Sequence, residues 1–337
     1  MKEFKIGAQE SGQKCIKYCE KLLPNAGTGF LYKMLRKKNI TLNGKKADGT
    51  ERLADGDVLR FFFSDETFLN FSGNNVNRKT LSPQRTQMLE KARIVYEDEN
   101  VLLYNKPSGL LSQKASVSDI SLNEMLLSYL AFDEKRSDYE TGENAVISRP
   151  SVCNRLDRNT SGIVICGKTY LGLRTMNELL ADRNLKKYYH CLVEGEISGR
   201  ILLKGYLLKN EKTNTVEIFQ KEVEGASYIE TEIVPLAAGK KVSLLEVHLI
   251  TGKTHQIRSH LAFLGHPILG DYKYGERKIN DFYRQKYGLK SQLLHAYRIE
   301  FPQMSCLKVL SGRKFTAEKP ELFKRIEKEE IRGNVEF

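Results

Sequence analysis

The chain has 337 residues, of which 40% are hydrophobic, enough to build a core for one large domain or two ordinary ones and too many for a disordered protein. Its 54 lysines and arginines outnumber its 42 aspartates and glutamates, so the net charge of +12 favours a polyanion, foremost nucleic acid, as partner. No apolar run reaches the roughly 18 to 20 residues of a membrane-spanning helix and the first residues do not resemble a signal peptide, which predicts a cytoplasmic protein with no membrane contact.

The first 85 residues carry more than half of the excess positive charge. They hold 16 lysines and arginines against 9 aspartates and glutamates, a surplus of seven. The pattern predicts a short helix from Lys14 to Leu23 and a second from Gly29 to Lys38, which Thr28 would cap. Strands are indicated at 40–42 and 58–63. We therefore predict a small basic α+β domain over residues 1–71.

A change of composition marks a boundary after this domain. Residues 72–90 are polar, with several serines and asparagines, and have little to bury, so we predict a linker there. The rest, 91–337, shows many short strand patterns with a few helices between them, which predicts one large α+β domain. The strand patterns lie at 94–96, 101–104, 162–165, 187–193 and 242–250, and the clearest helical patterns at 171–180 and 254–264.

The cysteines indicate reduced thiols. There are six, with no C-x-x-C pair and no spacing typical of a disulfide framework. Cys15 and Cys19 lie four residues apart on a predicted helix, which raises a metal site as an alternative. No second ligand pair lies nearby, so we favour buried cysteines that pack as small hydrophobic residues.

Asp157 stands in a turn-rich segment, Asn154 to Gly162, that leads directly into an apolar strand. It is flanked by Arg155 and Arg158, so a carboxylate and two cations would meet at the end of a buried strand, where a ligand can reach them. The alternative is a structural turn in which the carboxylate caps backbone amides and the arginine is solvated.

Two further segments carry polar groups beside core residues. In the strand Leu185 to Val193, alternation places Lys187 and Tyr189 on one face with apolar residues, although an ordinary half-buried strand would show the same pattern. In Thr251 to Gly265, a strand ends at a Thr-Gly turn and Thr254 is predicted to cap a helix.

The start of this last helix is strongly basic. Lys253, His255 and Arg258 would cluster at its N-terminus, where free amides and the helix dipole favour phosphate. The alternatives are a solvated basic helix start or a metal site made by His255, His260 and His266. No carboxylate lies at metal-ligand spacing, which speaks against the metal.

Taken together, these segments resemble the RluA-type RNA pseudouridine synthases. The family motif R-L-D-x-x-T-S-G is matched by Arg155 to Gly162, and the motif T-G-R-T-H-Q-I-R by Thr251 to Arg258. Further family patterns are matched by Arg183 to Gly195, by Lys106 to Leu110 and by the later blocks Gly265 to Gly275 and Gln292 to Ala296. The basic N-terminal segment resembles, more weakly, a small RNA-binding domain of ribosomal-protein type.

The resemblance implies a fold and an activity. The catalytic domain would contain a long mixed, largely antiparallel sheet with a central cleft, and the enzyme would isomerise specific uridines to pseudouridine without a cofactor or metal. The target branch implied is large-subunit ribosomal RNA, free or in an assembling subunit, and the protein would be a monomer. The alternatives are a non-catalytic RNA-binding assembly factor of the same fold and a metal-dependent RNA hydrolase, for which no acidic cluster suited to magnesium is present.

The resemblance also assigns residues. Asp157 would be the catalytic carboxylate that attacks the sugar or removes a sugar proton, Arg258 would pair with it, and Tyr189 would stack on the target base. The target nucleotide would be flipped out of the RNA, with Arg155 filling the gap or holding a phosphate. The predicted substrate-binding residues are Arg155, Lys187, Lys253 and His255 in the catalytic domain and Arg36 and Lys37 in the N-terminal domain.

Several positions depart from the family pattern. Asn154 stands where histidine is usual, Lys253 where arginine is usual, and Cys191 and Ser259 replace other small residues. Ser112 and the glutamine after it also differ from the commonest pattern. None of these is the predicted acid, tyrosine or arginine, so the departures bear on the choice of substrate rather than on the reaction.

Overall fold

The computed structural model describes residues 1–7, 10–72, 89–116, 118–131, 150–211 and 213–332. The predicted linker, 72–90, lies almost entirely outside the described residues. In chain order the α-helices of the described part are α1 Cys15–Leu22, α2 Thr28–Arg36, α3 Asp65–Phe71, α4 Leu122–Ala131, α5 Tyr170–Ala181, α6 Gln256–Phe263, α7 Arg277–Tyr287 and α8 Glu321–Glu327. Short turns of other helix types cover Lys91–Arg93, Lys308–Leu310 and Lys328–Arg332.

The strands form two separate sheets. Their bounds are β1 Lys2–Lys5, β2 Ile40–Leu42, β3 Lys45–Lys46, β4 Val58–Phe61, β5 Ile94–Glu97, β6 Val101–Lys106, β7 Ser151–Val152, β8 Ser161–Gly167, β9 Lys186–Glu194, β10 Ile201–Asn210, β11 Thr215–Phe219, β12 Ser227–Ala238, β13 Val242–Leu249, β14 Leu294–Glu300 and β15 Lys314–Thr316. Within the described ranges, β1 to β4 make a four-stranded sheet and the others an eleven-stranded one.

The N-terminal sheet has the order β1-β4-β2-β3 and carries α1 and α2 on its apolar side. Asn43 and Gly44 join β2 to β3 with φ angles of 52° and 73°, the geometry of a tight hairpin turn in which both residues lie in the left-handed region. The expectation that Thr28 caps α2 is wrong. The cap position is Gly27, and the Thr28 hydroxyl instead donates to Glu20 of α1.

The large sheet has the order β11-β10-β12-β13-β9-β14-β8-β6-β5, with β15 beside β14 and β7 beside β8. Its recorded pairings are antiparallel except for β14 with β8, which confirms the mixed, largely antiparallel sheet. Gly162 is needed where these two parallel strands meet, because its φ is 113° and a Cβ there would lie 2.3 Å from the Ala296 carbonyl oxygen.

The central strands are apolar on both faces because the sheet is covered on both sides. β8 is buried along its whole length, and β6 is buried at all positions but one. A large hydrophobic cluster joins the strands to α4, α6, α7 and α8, and a second one lies between β6, β8, α5 and β15. The cleft-forming loops therefore project from a rigid, fully packed scaffold.

The structure moves one predicted helix start. Thr254 was expected to cap the helix that we now define as α6, but the residue before the helix is His255, whose φ of 54° lies in the left-handed region. The Gln256 side chain closes the preceding turn instead, accepting from the backbone amide of Lys253 and from the Thr251 hydroxyl. This turn places His255 immediately before the helix and Arg258 in its first turn.

No helix within the part of the chain that the structure describes has the length and apolar character needed to cross a membrane. Of the six cysteines, Cys15, Cys19, Cys166 and Cys191 are buried as predicted, Cys153 is half-buried and Cys306 is exposed.

Candidate active site

A polar cleft of about 420 Å³ opens where three segments of the large sheet come together. They are the loop Asn154–Thr160 that precedes β8, the start of β9, and the turn from β13 into α6. The three segments are the same three that the sequence singled out for their chemistry. Their charged or titratable lining groups are Cys153, Arg155, Asp157, Arg183, Lys187, Tyr189, Lys253, His255 and Arg258.

Asp157 is held by a buried arginine. Arg258 Nη1 donates to Asp157 Oδ2 at 2.9 Å, which is the pairing that the resemblance implied. The Asp157 side chain accepts no backbone amide from the described residues, so it does not act as the cap of a structural turn. Only Oδ2 is engaged by the described residues, and the side chain remains 27% exposed. The carboxylate is therefore oriented but still accessible to a ligand.

Arg258 is itself fixed from behind by Asp271. Its Nε and Nη2 donate to the two Asp271 carboxylate oxygens at 2.7 and 2.9 Å, a bidentate pair in which the Asp271 side chain is 1% exposed. Burial disfavours the guanidinium charge, but the bonds and charges of Asp271 and Asp157 outweigh it and raise the pKa of Arg258. The guanidinium thus donates from different N–H groups of its planar edge to the two carboxylates.

Tyr189 and Lys187 lie on one face of β9 and line the cleft, as alternation predicted. Burial and the Asp157 charge raise the pKa of Tyr189, so its hydroxyl stays protonated. Burial and the nearby charge of Arg183 lower the pKa of Lys187. The intervening Tyr188 points to the opposite face, where its ring stacks on His248.

His255 lies between Asp157 and a tyrosine that the sequence did not single out. Its Nε2 is 3.9 Å from Asp157 Oδ2, and its Nδ1 is 2.9 Å from the hydroxyl of Tyr274. That hydroxyl also accepts the backbone amide of Val216 on β11 at 3.1 Å. Burial is the main cause that lowers the pKa of His255, so the imidazole is neutral near pH 7.

The loop around Asp157 is held by the segment that follows β6. Ser112, 3% exposed, uses one hydroxyl to accept the Leu156 amide at 3.0 Å and to donate to the Leu156 carbonyl at 3.1 Å. Lys106 Nζ donates to the carbonyl of Arg158 and to two carbonyls of its own segment. Burial lowers the pKa of Lys106 to about 7, against the opposing effect of Asp157.

Asn154, the departure from the usual histidine, also has a structural role. Its Oδ1 accepts the amide of Ile165 at 2.7 Å and its Nδ2 donates to the Ile163 carbonyl at 3.4 Å. The side chain thus continues the hydrogen bonding of β7 with β8 while the main chain turns away towards Asp157. Asparagine suits this position because its amide carries both a donor and an acceptor.

The remaining predicted binding residues are cations at the surface. Arg155 and Lys253 are exposed at the edge of the cleft. Arg36 and Lys37, at the end of α2, are exposed and do not line the cleft. The structure thus brings together the seven cleft residues, while Arg36 and Lys37 belong to a separate basic surface.

Neither metal hypothesis finds support in the described residues. They contain no group of three or more histidine, cysteine, aspartate or glutamate side chains placed to hold a metal ion. His260 bonds to the Thr231 hydroxyl in the core and His266 to the Glu194 carbonyl, so the three histidines have different partners.

Sequence analysis missed the residues that support the site rather than face it. Asp271 and Tyr274 fall inside a matched family block, Gly265 to Gly275, but nothing in their own spacing links them to Arg258 or His255. Ser112 was noted only as a departure from the pattern. Its bond to Leu156 joins positions 44 residues apart in the chain, which no local pattern reveals.

Comparison with known proteins shows which family the chain belongs to. The sequence model of the family described as RNA pseudouridylate synthase matches residues 100–263. An uncharacterized RNA pseudouridine synthase of Mycoplasma genitalium is 30% identical over 309 residues, covering 91% of each chain. The chain belongs to the RNA pseudouridine synthase family. It is therefore an isomerase that acts on RNA and converts uridine to pseudouridine.

Two further relatives agree. A ribosomal large subunit pseudouridine synthase C of Pasteurella multocida is 30% identical over 307 residues, covering 89% of this chain and 86% of the relative. A solved structure titled human RNA pseudouridylate synthase domain containing 4 superposes with a TM-score of 0.55 at 20% identity, covering 70% of this chain and 92% of its own, which supports the fold. Nothing in these comparisons favours the non-catalytic alternative.

Proposed function

We propose that this synthase modifies uridines of large-subunit ribosomal RNA, with Asp157 as its catalytic carboxylate. The observation that carries the role of Asp157 is the charge of the cleft. Among the described residues that line it, Asp157 is the single carboxylate, and the other charged groups are cations. Such a cleft attracts a phosphate backbone and presents one acidic group to whatever nucleotide enters.

The arrangement suits chemistry at the sugar. Arg258 orients Asp157 through Oδ2, and Oδ1 is free of bonds to the described residues. An oriented carboxylate can attack the sugar or remove a sugar proton, and both routes use the same geometry. Tyr189 is the aromatic side chain placed in the same cleft to stack on the detached uracil.

The cations of the cleft suit the capture of RNA. Lys187, Lys253 and Arg183 surround the entrance to Asp157, and Arg155 stands at the edge, where it can fill the space left by a flipped nucleotide. Arg36 and Lys37 would add phosphate contacts from residues 1–71, which we propose as a separate RNA-binding domain. We further propose that the protein works as a monomer in the cytoplasm.

The ribosomal target follows from the relatives rather than from the cleft. Relatives from Pasteurella multocida and Vibrio cholerae, which cover most of the chain, are named for the large ribosomal subunit. The substrate would be the free RNA or an assembling subunit. The basic N-terminal sheet, with exposed lysines on α2 and β3, fits a large folded RNA better than a free nucleoside.

The test is to map pseudouridine by carbodiimide labelling and primer extension on ribosomal and transfer RNA, in cells with and without the gene. Sites that disappear in the deletion strain and return with the wild type, but not with Asp157→Asn, would establish the target and the acid. Sites lost only from transfer RNA would overturn the ribosomal assignment. Sites restored by Asp157→Asn would overturn the role of the carboxylate.

A further inference from the structure

His255 combines three features that its bonding partners alone do not explain. It is a non-glycine residue with φ of 54°, a conformation that L-residues adopt at a cost. Its side chain is only 9% exposed, and one ring edge faces the Asp157 carboxylate while the other meets Tyr274. A buried imidazole held in a strained backbone beside the proposed catalytic acid is a candidate for direct contact with substrate.

The hydrogen bonds point to the ring nitrogen that carries the proton. The Val216 amide can only donate, so the Tyr274 oxygen accepts from it. The tyrosine hydroxyl has one hydrogen of its own, and within the described residues the Nδ1 of His255 is the acceptor in reach. A neutral imidazole that accepts at Nδ1 carries its hydrogen on Nε2. Tyr274 therefore selects the tautomer whose N–H faces Asp157.

The separation between Nε2 and Asp157 Oδ2 is 3.9 Å, too long for a direct hydrogen bond. One oxygen atom placed beside both would lie within bonding distance of each. Facing a donor on one side and a carboxylate on the other, that oxygen must accept and donate, as a hydroxyl does. In a nucleotide inside an RNA chain, O3′ and O5′ are esterified, and the 2′-hydroxyl is the free hydroxyl of the ribose.

We propose that His255 donates a hydrogen bond from Nε2 to the 2′-hydroxyl of the target nucleotide, and that Tyr274 is the positioning residue that fixes its tautomer. The inference rests on the proposed sugar chemistry of Asp157. It also gives the cleft a way to distinguish RNA from DNA, because only RNA carries this group. Arg258, Lys273 and Asp271 complete the charged surroundings of the imidazole.

The test compares two RNA oligonucleotides spanning a mapped target site, one with uridine and one with 2′-deoxyuridine at that position. His255→Ala should lower kcat/KM on the uridine RNA about tenfold, the scale of one lost hydrogen bond, and should cost little on the deoxy RNA. His255→Gln should keep most of the activity, since its amide nitrogen reaches about as far as imidazole Nε2. The activity of Tyr274→Phe on the uridine RNA should lie between the activities of the two His255 variants.

The control is His266→Gln, which alters a half-buried imidazole that does not line the cleft and should match the wild type. An equal loss for His255→Ala on both RNAs would overturn the contact with the 2′-hydroxyl, and a glutamine variant as poor as alanine would overturn the donor role. If the wild type does not turn over the deoxy RNA, the Kd values of the wild type and the His255 variants for the two RNAs are compared instead. A wild type inactive on every mapped RNA would refute the proposed function, whereas a His255→Ala variant as active as the wild type on the uridine RNA would refute this inference alone.

Discussion

The cleft and the N-terminal basic surface both carry cations, but they use them differently. In the cleft, the Arg258 side chain is 9% exposed and is bonded to two carboxylates, so its charge serves to orient Asp157. On α2, Arg36 and Lys37 are exposed to solvent. A buried, paired cation acts through geometry and is little affected by salt, while an exposed one acts through long-range attraction that salt screens. Substitutions in the two regions should therefore change different parameters.

The largest effect is expected from Asp157→Asn. The amide keeps the shape of the side chain but can neither attack the sugar nor accept its proton, so turnover should fall about a thousandfold or more. RNA affinity should stay within about threefold of the wild type, since binding depends on the surrounding cations. Turnover can be followed as tritium released from RNA labelled at the uracil carbon that bonds to the sugar. A parallel fall in affinity would mean that the residue is structural.

The second-largest effect is expected from Asp271→Asn. It removes one of the two charges that hold Arg258, and breaking a buried ion pair costs about 3 kcal/mol of unfolding free energy. Because Arg258 then no longer holds Asp157 in place, kcat should drop about 10- to 100-fold with little change in KM. Chemical denaturation and steady-state kinetics measure the two effects.

The matched control is Asp281→Asn, an aspartate on α7 whose side chain is 43% exposed, lies 3.8 Å from Arg277 and accepts from the Tyr272 hydroxyl. It should leave both stability and kcat near the wild type. If Asp271→Asn behaved like this control, the bidentate pair would have no part in orienting the site.

Ser112→Ala should have a smaller effect of the same kind. It leaves the buried amide and carbonyl of Leu156 without their partner, which costs about 1–3 kcal/mol of stability. The looser loop should lower kcat about tenfold while KM stays the same. Ser118→Ala, at an exposed position, is the comparison. A change confined to KM would show that Ser112 supports binding and not the placement of Asp157.

The smallest effect on turnover is expected in the basic surface. Replacing Arg36 and Lys37 together by glutamine should leave kcat unchanged and raise KM. The slope of log affinity against log salt should become shallower by about 1.4 to 1.8, the loss of two phosphate contacts. The same change at Arg277 and Lys278, an exposed pair on α7, is the control for charge alone. An equal change of slope in both double variants would show that the end of α2 makes no specific phosphate contacts.

Much of the fold was predictable because its signals are local. The strands now assigned as β6, β8, β9 and β13 fall where apolar runs and alternation placed them, to within one or two residues. The errors were at helix starts. Thr28 and Thr254 both have the composition of a cap, but Gly27 and His255 occupy those positions, because contacts made elsewhere in the chain decide which residue leaves the helical conformation.

The sequence by itself determined the charge of the surface, the residues that line the cleft and the order of the motifs, since each depends on residue type and local spacing. Only the tertiary structure decided which residues hold those side chains and loops in place through hydrogen bonds. Asp271 behind Arg258, Tyr274 behind His255 and Ser112 behind Leu156 are brought into place by sheet pairing and helix packing. A hydrogen bond between residues distant in the chain leaves no periodicity in the sequence, because it is set by where the scaffold brings two segments together.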